Sequence, residues 1–213
     1  MSAAADSASS LRCLMAPDSV VVVGASSDPG RIGGRPIDWM RRAGFQGAIY
    51  PVNPTRDEVQ GLRSYASIDD LPATPQAAIV AVPAPQVLAT VEALGALGVG
   101  AAVVFSSGFA EVGGEGNAAQ QQLVQAARRH GMRLLGPNCL GLFNAPLGWY
   151  PTFTSSFEGG WPLPGRIGVV SQSGAFGSYL VTLARNRGIG TPQCVTTGNQ
   201  ADVTVGEIIH WYA

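Results

Sequence analysis

Short apolar segments alternate with helical segments along the first part of the chain. The strand candidates contain almost no polar residues and lie at residues 20–23, 48–50, 77–82, 101–105 and 132–135. Helical patterns separate them, as at residues 34–43, 85–97 and 118–130. A strand that is apolar on both faces must be buried on both, so the alternation predicts a parallel sheet covered by helices. We therefore expect an α/β, Rossmann-like domain over residues 11–144.

Residues 145–166 break this alternation and are rich in proline, glycine and aromatic residues. The large rings in this segment are Trp149, Tyr150, Phe153, Phe157 and Trp161. A solvated linker would rarely carry so many aromatic side chains. We therefore expect an ordered connection that packs over a domain surface.

A second α/β unit is expected over residues 167–213. Its pattern predicts a strand at 167–170, a helix at 175–187, a strand near 193–196 and a helix from about residue 203. Two strands cannot form a sheet and also cover it, so this unit should be incomplete by itself.

The composition excludes several classes of function. All 13 basic residues are arginine, so neither a lysine-dependent Walker loop nor a Schiff-base mechanism is available. The net charge of −1 gives no reason to expect a nucleic-acid or membrane surface. The three cysteines are far apart, which speaks against a disulfide framework or a metal site and favours the cytoplasm. Residues 1–10 lack the features of a signal peptide and are expected to form a frayed tail.

The first predicted strand runs into a glycine-rich corner at residues 24–34, where nucleotides or phosphates usually bind in this architecture. Its glycines do not form a GxGxxG pattern, and the second strand ends at Asn53 without a carboxylate to hold a ribose. An NAD site is therefore disfavoured. Arg31, Arg35 and Arg56 could still hold a ligand with several phosphates. The alternative is a tight turn whose glycines only let a helix pack on the sheet.

Two further strand ends, at residues 81–85 and 105–109, are expected at the same edge of the sheet, and together with the first corner they predict a ligand cleft. Ser107 lies in the second of these segments. The segment 136–141 follows the last strand of the domain, and we interpret its Asn138 as a polar contact or a turn-stabilising side chain. Cys139 has no histidine near it in the sequence, so we interpret it as a packed, inert thiol.

The segment Ser171-Gln172-Ser173-Gly174 joins a predicted strand to a predicted helix. Such a corner directs free N–H groups and the positive end of a helix dipole at one point, where an anion can bind. The context of a hydrolase nucleophile is missing, so we do not assign a nucleophilic serine. A plain helix cap at Ser173 is the alternative.

The corners taken in order resemble one family. The segments are VVVGASSDPGRIGG, YPVNP, AVPAP, FSSGFAE, GPNCLGLFN, GVVSQSGAFG and TTGNQAD. In this order they resemble the acyl-CoA synthetases that form a nucleoside diphosphate, relatives of the succinyl-CoA synthetase α subunit and of ADP-forming acetate–CoA ligases. The resemblance runs from about residue 11 to the last residue.

The resemblance implies a coenzyme A site in the first domain. Its residues would be Gly24, Ala25, Ser26 and Ser27 at the phosphate end of the coenzyme, with Asn53, Pro54, Val82 and Pro83 nearby. A lysine that helps to hold the coenzyme in succinyl-CoA synthetase has no counterpart here. Either Arg56 takes its place or the contact is absent.

The resemblance also implies that residues 167–213 begin a flavodoxin-like ligase domain. There Ser171, Gln172, Ser173 and Gly174 would hold the phosphoryl group carried by a catalytic histidine. No residue of this chain matches the motif of that histidine. ATP or ADP, with Mg²⁺, would be bound by a separate ATP-grasp domain or subunit, and the full-length protein is expected to form a homo-oligomer.

The leading hypothesis is therefore the amino-terminal part of an acyl-CoA ligase, inactive by itself, with CoA and a carboxylic acid as substrates. We assign no catalytic residue and no metal site within the chain. Two alternatives remain open. One is a free-standing CoA-binding regulatory protein, and the other is the ligase-like module of a protein acyltransferase.

Overall fold

A five-stranded parallel sheet forms the centre of the first part of the molecule, as predicted. The computed structural model describes residues 11–213, so the expected tail at residues 1–10 lies outside the described part. With strands numbered in chain order, the sheet has the order β2-β1-β5-β6-β7. The strands are β1 (Ser19–Val23), β2 (Ala48–Val52), β5 (Ala77–Val80), β6 (Ala101–Val104) and β7 (Arg133–Leu135). A separate antiparallel pair, β3 (Glu58–Val59) and β4 (Leu62–Arg63), was not predicted.

Helices cover both faces of this sheet, which explains why its strands are apolar throughout. Successive side chains of a strand point to opposite faces. Val20 and Val22 accordingly belong to one buried cluster and Val21 to the other. Helix α1 (Arg35–Arg42) packs into the first cluster, and helices α2 (Ala84–Leu97) and α3 (Glu115–Arg129) pack into the second. None of the described helices is both long enough and apolar enough to cross a membrane.

The strand order reverses between β1 and β5. The chain leaves β1 toward β2 on one side of the sheet and returns to build β5, β6 and β7 on the other. At such a reversal the loops that follow the two strands separate and leave a crevice at their carboxyl ends, where open α/β sheets bind ligands. Here those loops begin at Gly24 and Ala81, so the candidate site is expected between them.

The second part of the chain contains a three-stranded sheet of the order β8-β10-β9. Strands β9 (Gly168–Ser171) and β10 (Gln193–Thr196) are parallel, and helices α4 (Gly174–Asn186) and α5 (Val205–Tyr212) follow them. These elements begin and end within about two residues of the predicted positions.

Strand β8 (Gly141–Asn144) was not predicted, and it pairs antiparallel with β10. It is a third strand for a unit that was expected to have only two. One strand of the second sheet therefore precedes the expected boundary at residue 144, and the division into segments 11–144, 145–166 and 167–213 stays a prediction.

The aromatic connection is ordered and packs against the first domain, as predicted. The Trp149 side chain is fully buried, and its indole N–H donates a hydrogen bond to the Leu14 carbonyl oxygen at 2.9 Å. Phe157 and Trp161 make edge-to-face contacts with Trp39 of helix α1, each with ring centroids 5.7 Å apart. Such aromatic pairs add to the stability gained from burial of apolar area.

An ion-pair cluster joins strand β7 of the first sheet to the segment around helix α5 of the second unit. Arg133 of β7 contacts the Asp202 carboxylate at 2.8 Å and the Glu207 carboxylate of α5 at 2.6 Å. The Asp202 carboxylate also accepts a hydrogen bond from the Leu134 N–H at 3.0 Å. The side chains of Arg133 and Asp202 are mostly buried. Ion pairs as well as packing therefore hold the segment that contains Asp202 and Glu207 to the first sheet.

This cluster predicts a loss of stability in acid. Burial acts to raise the pKa of Glu207, but hydrogen bonds and charge attraction from Arg133 and the hydrogen bonds of Thr204 lower it overall below the ordinary 4.5. A carboxyl group whose pKa is lowered by folding stabilises the folded state fully above its unfolded pKa. We expect this contribution to be lost as the pH falls below 4.5 and through the lowered native pKa. Denaturant unfolding between pH 7 and pH 3 should show a smaller acid loss for Glu207→Gln than for the wild type, and equal losses would contradict the assignment.

Candidate functional site

The first corner, residues 24–34, is a tight loop that folds back on itself. Gly24 has a φ of +84°, and a Cβ atom at this position would lie 2.5 Å from the Ala81 carbonyl oxygen. A Cβ on Gly33 would overlap the Gly24 carbonyl oxygen. The glycines are thus required by the fold of the loop itself, as the tight-turn alternative states. The same close approach brings the loop against the strand end at Ala81 and Val82.

Amide side chains from the neighbouring segments secure this loop. Asn53 donates a hydrogen bond from Nδ2 to the Ala25 carbonyl oxygen at 2.8 Å. Gln60, in the turn between β3 and β4, donates to the carbonyl oxygens of Ser26 and Gly34, both at 2.9 Å. The sequence reasoning selected Asn53 but missed Gln60, for which the sequence carries no signal. In this structure both residues hold the loop in shape.

The predicted polar and basic residues of this corner have different surroundings. Ser27, Pro54 and Arg56 are exposed. Arg31 is also exposed, and its guanidinium lies 3.7 Å from the Asp28 carboxylate. Arg35 is already engaged, because it donates to the Phe153 carbonyl oxygen at 3.1 Å and contacts Glu158 at 3.3 Å. Arg35 therefore positions the aromatic connection, and Arg31 and Arg56 are the basic side chains that remain at the surface.

A cavity of about 450 Å³ opens at the carboxyl ends of β5 and β6, beside the strand reversal. We call it the edge cavity, and its lining residues are Ile32, Ala81, Val82, Pro83, Ala84, Phe105, Ser106, Ser107, Asn138 and Phe153. Four residues selected from the sequence thus meet around one space, namely Val82, Pro83, Ser107 and Asn138. That they contact a ligand stays a prediction.

A second cavity, of about 330 Å³, adjoins the first. We call it the corner cavity, and it is lined by Phe105, Asn138, Cys139, Leu140, Phe153, Gln172, Ser173, Gly174 and Gly198. The two cavities share Phe105, Asn138 and Phe153. The two cavities are therefore neighbours that extend from the loops of the first sheet to the start of helix α4, and we call the pair the groove.

The start of helix α4 has the geometry of a capped helix with free N–H groups. Ser173 is the cap, and its hydroxyl accepts a hydrogen bond from the Phe176 N–H at 3.3 Å. The Ser171 hydroxyl donates to the Ser173 carbonyl oxygen at 2.9 Å. Within the described part of the chain, nothing accepts a hydrogen bond from the N–H of Gly174 or Ala175. Ser173 therefore does act as a helix cap, as the alternative interpretation states. Two backbone N–H donors, of Gly174 and Ala175, still remain at the positive end of the helix dipole.

Position 174 requires glycine because the side chain of Leu140 packs directly against it. A Cβ atom there would lie 2.6 Å from Cγ of Leu140. Leu140 belongs to the segment that follows β7, so the helix start rests directly on the first domain.

Hydrogen bonds between loops close the floor of the groove. The Asn138 N–H donates to the Ser106 carbonyl oxygen at 2.9 Å, and the Asn199 N–H donates to the Pro137 carbonyl oxygen at 3.0 Å. Gln172 donates from Nε2 to the Gly198 carbonyl oxygen at 2.9 Å. Asn138 has a φ of +57°, in a region that asparagine tolerates better than most residues. The loops of the two sheets are therefore locked to each other around the groove.

Glu111 takes part in these hydrogen bonds between the loops, and the sequence reasoning did not select it. Its carboxylate accepts hydrogen bonds from the Gly108 and Phe109 N–H groups and from Nδ2 of Asn199. Burial acts to raise its pKa, but these hydrogen bonds lower it overall below the ordinary value. Glu111 stands in the quoted segment FSSGFAE, which was the available signal. It links the loop after β6 to the loop after β10.

Cys139 is buried, and its environment suppresses thiolate formation. Only 3% of the residue is exposed, and burial raises the pKa of its thiol to about 12. Burial raises the pKa of Cys194 to about 12 as well. A thiol acts as a nucleophile through its thiolate, so both side chains are inert in the native state. The described residues also contain no group of three His, Cys, Asp or Glu side chains arranged to bind a metal ion.

Thiol labelling checks this interpretation. In native protein at pH 8, we expect Ellman's reagent to modify Cys13, which is only partly buried, and to leave Cys139 and Cys194 unmodified until denaturant is added. A Cys13→Ser variant should lose the native reaction. Rapid native labelling of Cys139, mapped by peptide mass spectrometry, would contradict an inert thiol.

Two family models match the chain. Residues 18–145 match the model described as a CoA binding domain, and residues 164–213 match the model described as a succinyl-CoA ligase like flavodoxin domain. Together they cover the described α/β units in the predicted order.

The curated relatives are longer than this chain. A trans-feruloyl-CoA synthase of an unknown prokaryotic organism is 39% identical over 202 residues, which are 93% of this chain and 28% of that protein. The α subunit of an ADP-forming acetate–CoA ligase I from Pyrococcus furiosus is 37% identical over 207 residues, 95% of this chain and 44% of the subunit. The chain thus spans less than half the length of these two relatives and matches their amino-terminal part.

A solved structure shows the same arrangement. A dinucleotide forming acetyl-coenzyme A synthetase 1 from Ca. Korarchaeum cryptofilum, in its apo form, superposes with a TM-score of 0.88 at 37% identity. The match covers 95% of this chain and 43% of that one. An ATP citrate lyase from Methanosaeta concilii shares the fold at 14% identity with a TM-score of 0.67.

Proposed function

This chain belongs to the CoA-binding domain family, and we propose that it supplies the coenzyme-binding part of an acyl-CoA ligase that forms a nucleoside diphosphate. The observation that carries the proposal is that two neighbouring cavities, which share three lining residues, extend from the loops of the first sheet to the start of helix α4. A ligase of this kind has to bring the thiol of CoA to an activated acyl group. One end of the groove lies at the usual ligand edge of the first sheet, and the other ends at an anion-binding helix start.

In this proposal the first domain holds CoA as a substrate. Val82, Pro83 and Ser107 line the groove, and Gly24 lies against the strand end at Ala81 and Val82. Ala25, Ser26 and Ser27 follow in the same loop and would hold the phosphate end of the coenzyme. Asn53 acts through Ala25, whose carbonyl oxygen it holds. Arg31 and Arg56 are exposed beside this corner, so they are available to the phosphates of CoA. Their charge would be screened there, which makes them weaker contributors than the groove itself.

The second domain would hold the phosphoryl group. The N–H groups of Gly174 and Ala175 and the hydroxyls of Ser171 and Ser173 surround the positive end of helix α4, which favours an anion. Gln172 fixes the corner through Gly198. In this proposal these residues bind and orient the phosphoryl group. They do not supply the nucleophile, which we assign to a histidine outside these 213 residues.

The two sites are compatible with the following reaction, in which the histidine N–P bond breaks as the carboxylate O–P bond forms. A carboxylate takes the phosphoryl group from the histidine to form an acyl phosphate. The CoA sulfur then attacks the carbonyl carbon, a C–S bond forms, the C–O bond to phosphate breaks, and phosphate leaves while the thiol proton passes to solvent. We propose that an ATP-grasp domain or subunit recharges the histidine with ATP and Mg²⁺, and that the full-length protein is a cytoplasmic homo-oligomer.

A charge placed in the groove tests the coenzyme site. Val82→Asp puts a carboxylate on the wall of the edge cavity, where it would repel a polyanionic ligand. The matched control is Val112→Asp, because Val112 is 67% exposed and lines neither cavity. By calorimetry we expect Val82→Asp to weaken CoA binding at least tenfold, or about 1.4 kcal/mol, and the control to change it less than twofold. Equal affinities for the two variants would remove the groove from the coenzyme site.

A further inference from the structure

Three polar side chains are hydrogen-bonded in series beside the groove, and we call the series Glu111, Asn199 and Asn138 the amide relay. Asn199 donates from Nδ2 to the Glu111 carboxylate at 2.5 Å and to Oε1 of Gln120 at 2.9 Å. Oδ1 of Asn199 accepts a hydrogen bond from Nδ2 of Asn138 at 3.3 Å. Asn138 lines both the edge cavity and the corner cavity. The relay therefore connects a carboxylate to the place where the two cavities meet.

The carboxylate of Glu111 sets the direction of the relay. An ionised carboxylate only accepts hydrogen bonds, whereas a side-chain amide has a donor nitrogen and an acceptor oxygen. The N–H groups of Gly108 and Phe109 donate to this carboxylate, which holds it in place and favours its ionised form. The nitrogen of Asn199 must therefore face Glu111, and its oxygen is left to face Asn138.

The same rule fixes the amide of Asn138. Because Oδ1 of Asn199 only accepts, Asn138 has to turn its own Nδ2 toward it. Oδ1 of Asn138 is then the side-chain atom that is left to meet a ligand in the groove. The backbone of this residue is fixed as well, since its N–H donates to the Ser106 carbonyl oxygen at 2.9 Å. The relay thus places a hydrogen-bond acceptor in the lining that the two cavities share.

This acceptor has a matching donor in the proposed reaction. The inference rests on the proposed function, in which the thiol of CoA reaches the place where the two cavities meet. The cysteamine end of CoA carries two donors, the thiol S–H and the nearby amide N–H. We propose that Oδ1 of Asn138 accepts a hydrogen bond from this end of CoA, and that Glu111 and Asn199 are positioning residues that keep this oxygen turned to the ligand.

Glu111→Gln tests the relay because it reverses the polarity at nearly constant shape. The new amide would keep its oxygen on the Gly108 and Phe109 N–H groups and turn its nitrogen to Asn199. Both asparagine amides would then turn over, and Asn138 would present a donor. By calorimetry we expect CoA to bind about fivefold more weakly, the effect of one lost hydrogen bond. Adenosine 3′,5′-bisphosphate has no cysteamine, so its affinity should stay within about twofold of the wild type.

Two further variants make this result specific. Glu111→Gln combined with Asn199→Asp restores the polarity, because the new carboxylate at position 199 accepts from both neighbours, and CoA affinity should return to within about twofold of the wild type. Glu115→Gln removes an exposed carboxylate outside the relay and should leave CoA affinity within about twofold. A loss in Glu111→Gln that the double variant does not rescue, or an equal loss for CoA and the bisphosphate, would overturn the relay. Failure of the wild type to bind CoA would instead overturn the proposed function.

S-methyl-CoA identifies the donor, because it lacks the thiol S–H and keeps the amide N–H. A loss in Glu111→Gln that disappears with S-methyl-CoA assigns the hydrogen bond to the thiol, and a loss that persists assigns it to the amide.

The direction of the relay can also be measured without a variant. In NMR spectra of the wild type, the Hδ2 protons of Asn199 should show nuclear Overhauser effects to the Hγ protons of Glu111 and Gln120. Effects to the Hβ protons of Asn138 in their place would mean the opposite polarity and would overturn the proposal.

Discussion

Replacing Gly24 with valine should weaken CoA binding roughly thirtyfold, which corresponds to about 2 kcal/mol. The residue has a φ of +84°, which is strained for a β-branched side chain. Its Cβ atom would also lie 2.5 Å from the Ala81 carbonyl oxygen and 3.2 Å from a methyl carbon of Val82. The loop and the strand end would have to separate, which would open the wall of the edge cavity. Calorimetry with CoA measures the affinity, and the thermal midpoint reports the accompanying loss of stability.

A matched control separates backbone strain from damage to the groove. Gly188 has a φ of +71°, and its Cβ would meet no atom within 4 Å. Gly188→Val therefore brings similar strain at the end of helix α4 without a clash near the groove. We expect its CoA affinity to stay within twofold of the wild type. If both valine variants lost CoA binding equally, general destabilisation would explain the effect and the first corner would have no special role.

Replacing Arg133 with methionine should lower the free energy of unfolding by about 3 kcal/mol. The substitution keeps most of the side-chain volume but leaves Asp202 and Glu207 without their cation. The Arg133 side chain is only 19% exposed and that of Asp202 only 11%, so solvent cannot fully replace the lost contacts. Urea unfolding followed by fluorescence measures the loss. Hydrogen exchange should show that residues 200–213 lose protection before the five-stranded sheet does.

The control for this prediction is Arg129→Met. Arg129 pairs with Glu92 at the surface, where its side chain is 58% exposed. Pairs of this kind contribute on the order of 0.5 kcal/mol, so the control should be nearly neutral. Equal losses for the two variants, or a loss below 1 kcal/mol for Arg133→Met, would contradict a structural joint between the two sheets.

The parallel sheet could be predicted because its signal is local. Strands such as β1 are buried on both faces, and that burial requires an unbroken apolar run such as Val20–Val21–Val22. Strand β8 gave no such signal. It pairs with β10, about 50 residues later, and its sequence reads as a continuation of the preceding loop. The short pair β3 and β4 is two residues long in each strand, too short for any periodicity to show.

The position of the groove could also be predicted, because parallel strands end at the same edge of a sheet. This geometry brings Val82, Ser107 and Asn138 together. The contribution of Phe153 could not be predicted in the same way. The aromatic segment was expected to pack over a surface, but its contact with Phe105 depends on how the connection returns across the sheet. Glu111 and Asn199 are 88 residues apart, so their contact likewise depends on the docking of the two sheets.

Calorimetric titration of this chain with CoA and, separately, with NADH tests the central claim most directly. The groove and the absence of a carboxylate at the end of β2 predict one binding event per chain for CoA and none for NADH. Binding of NADH without binding of CoA would contradict the account.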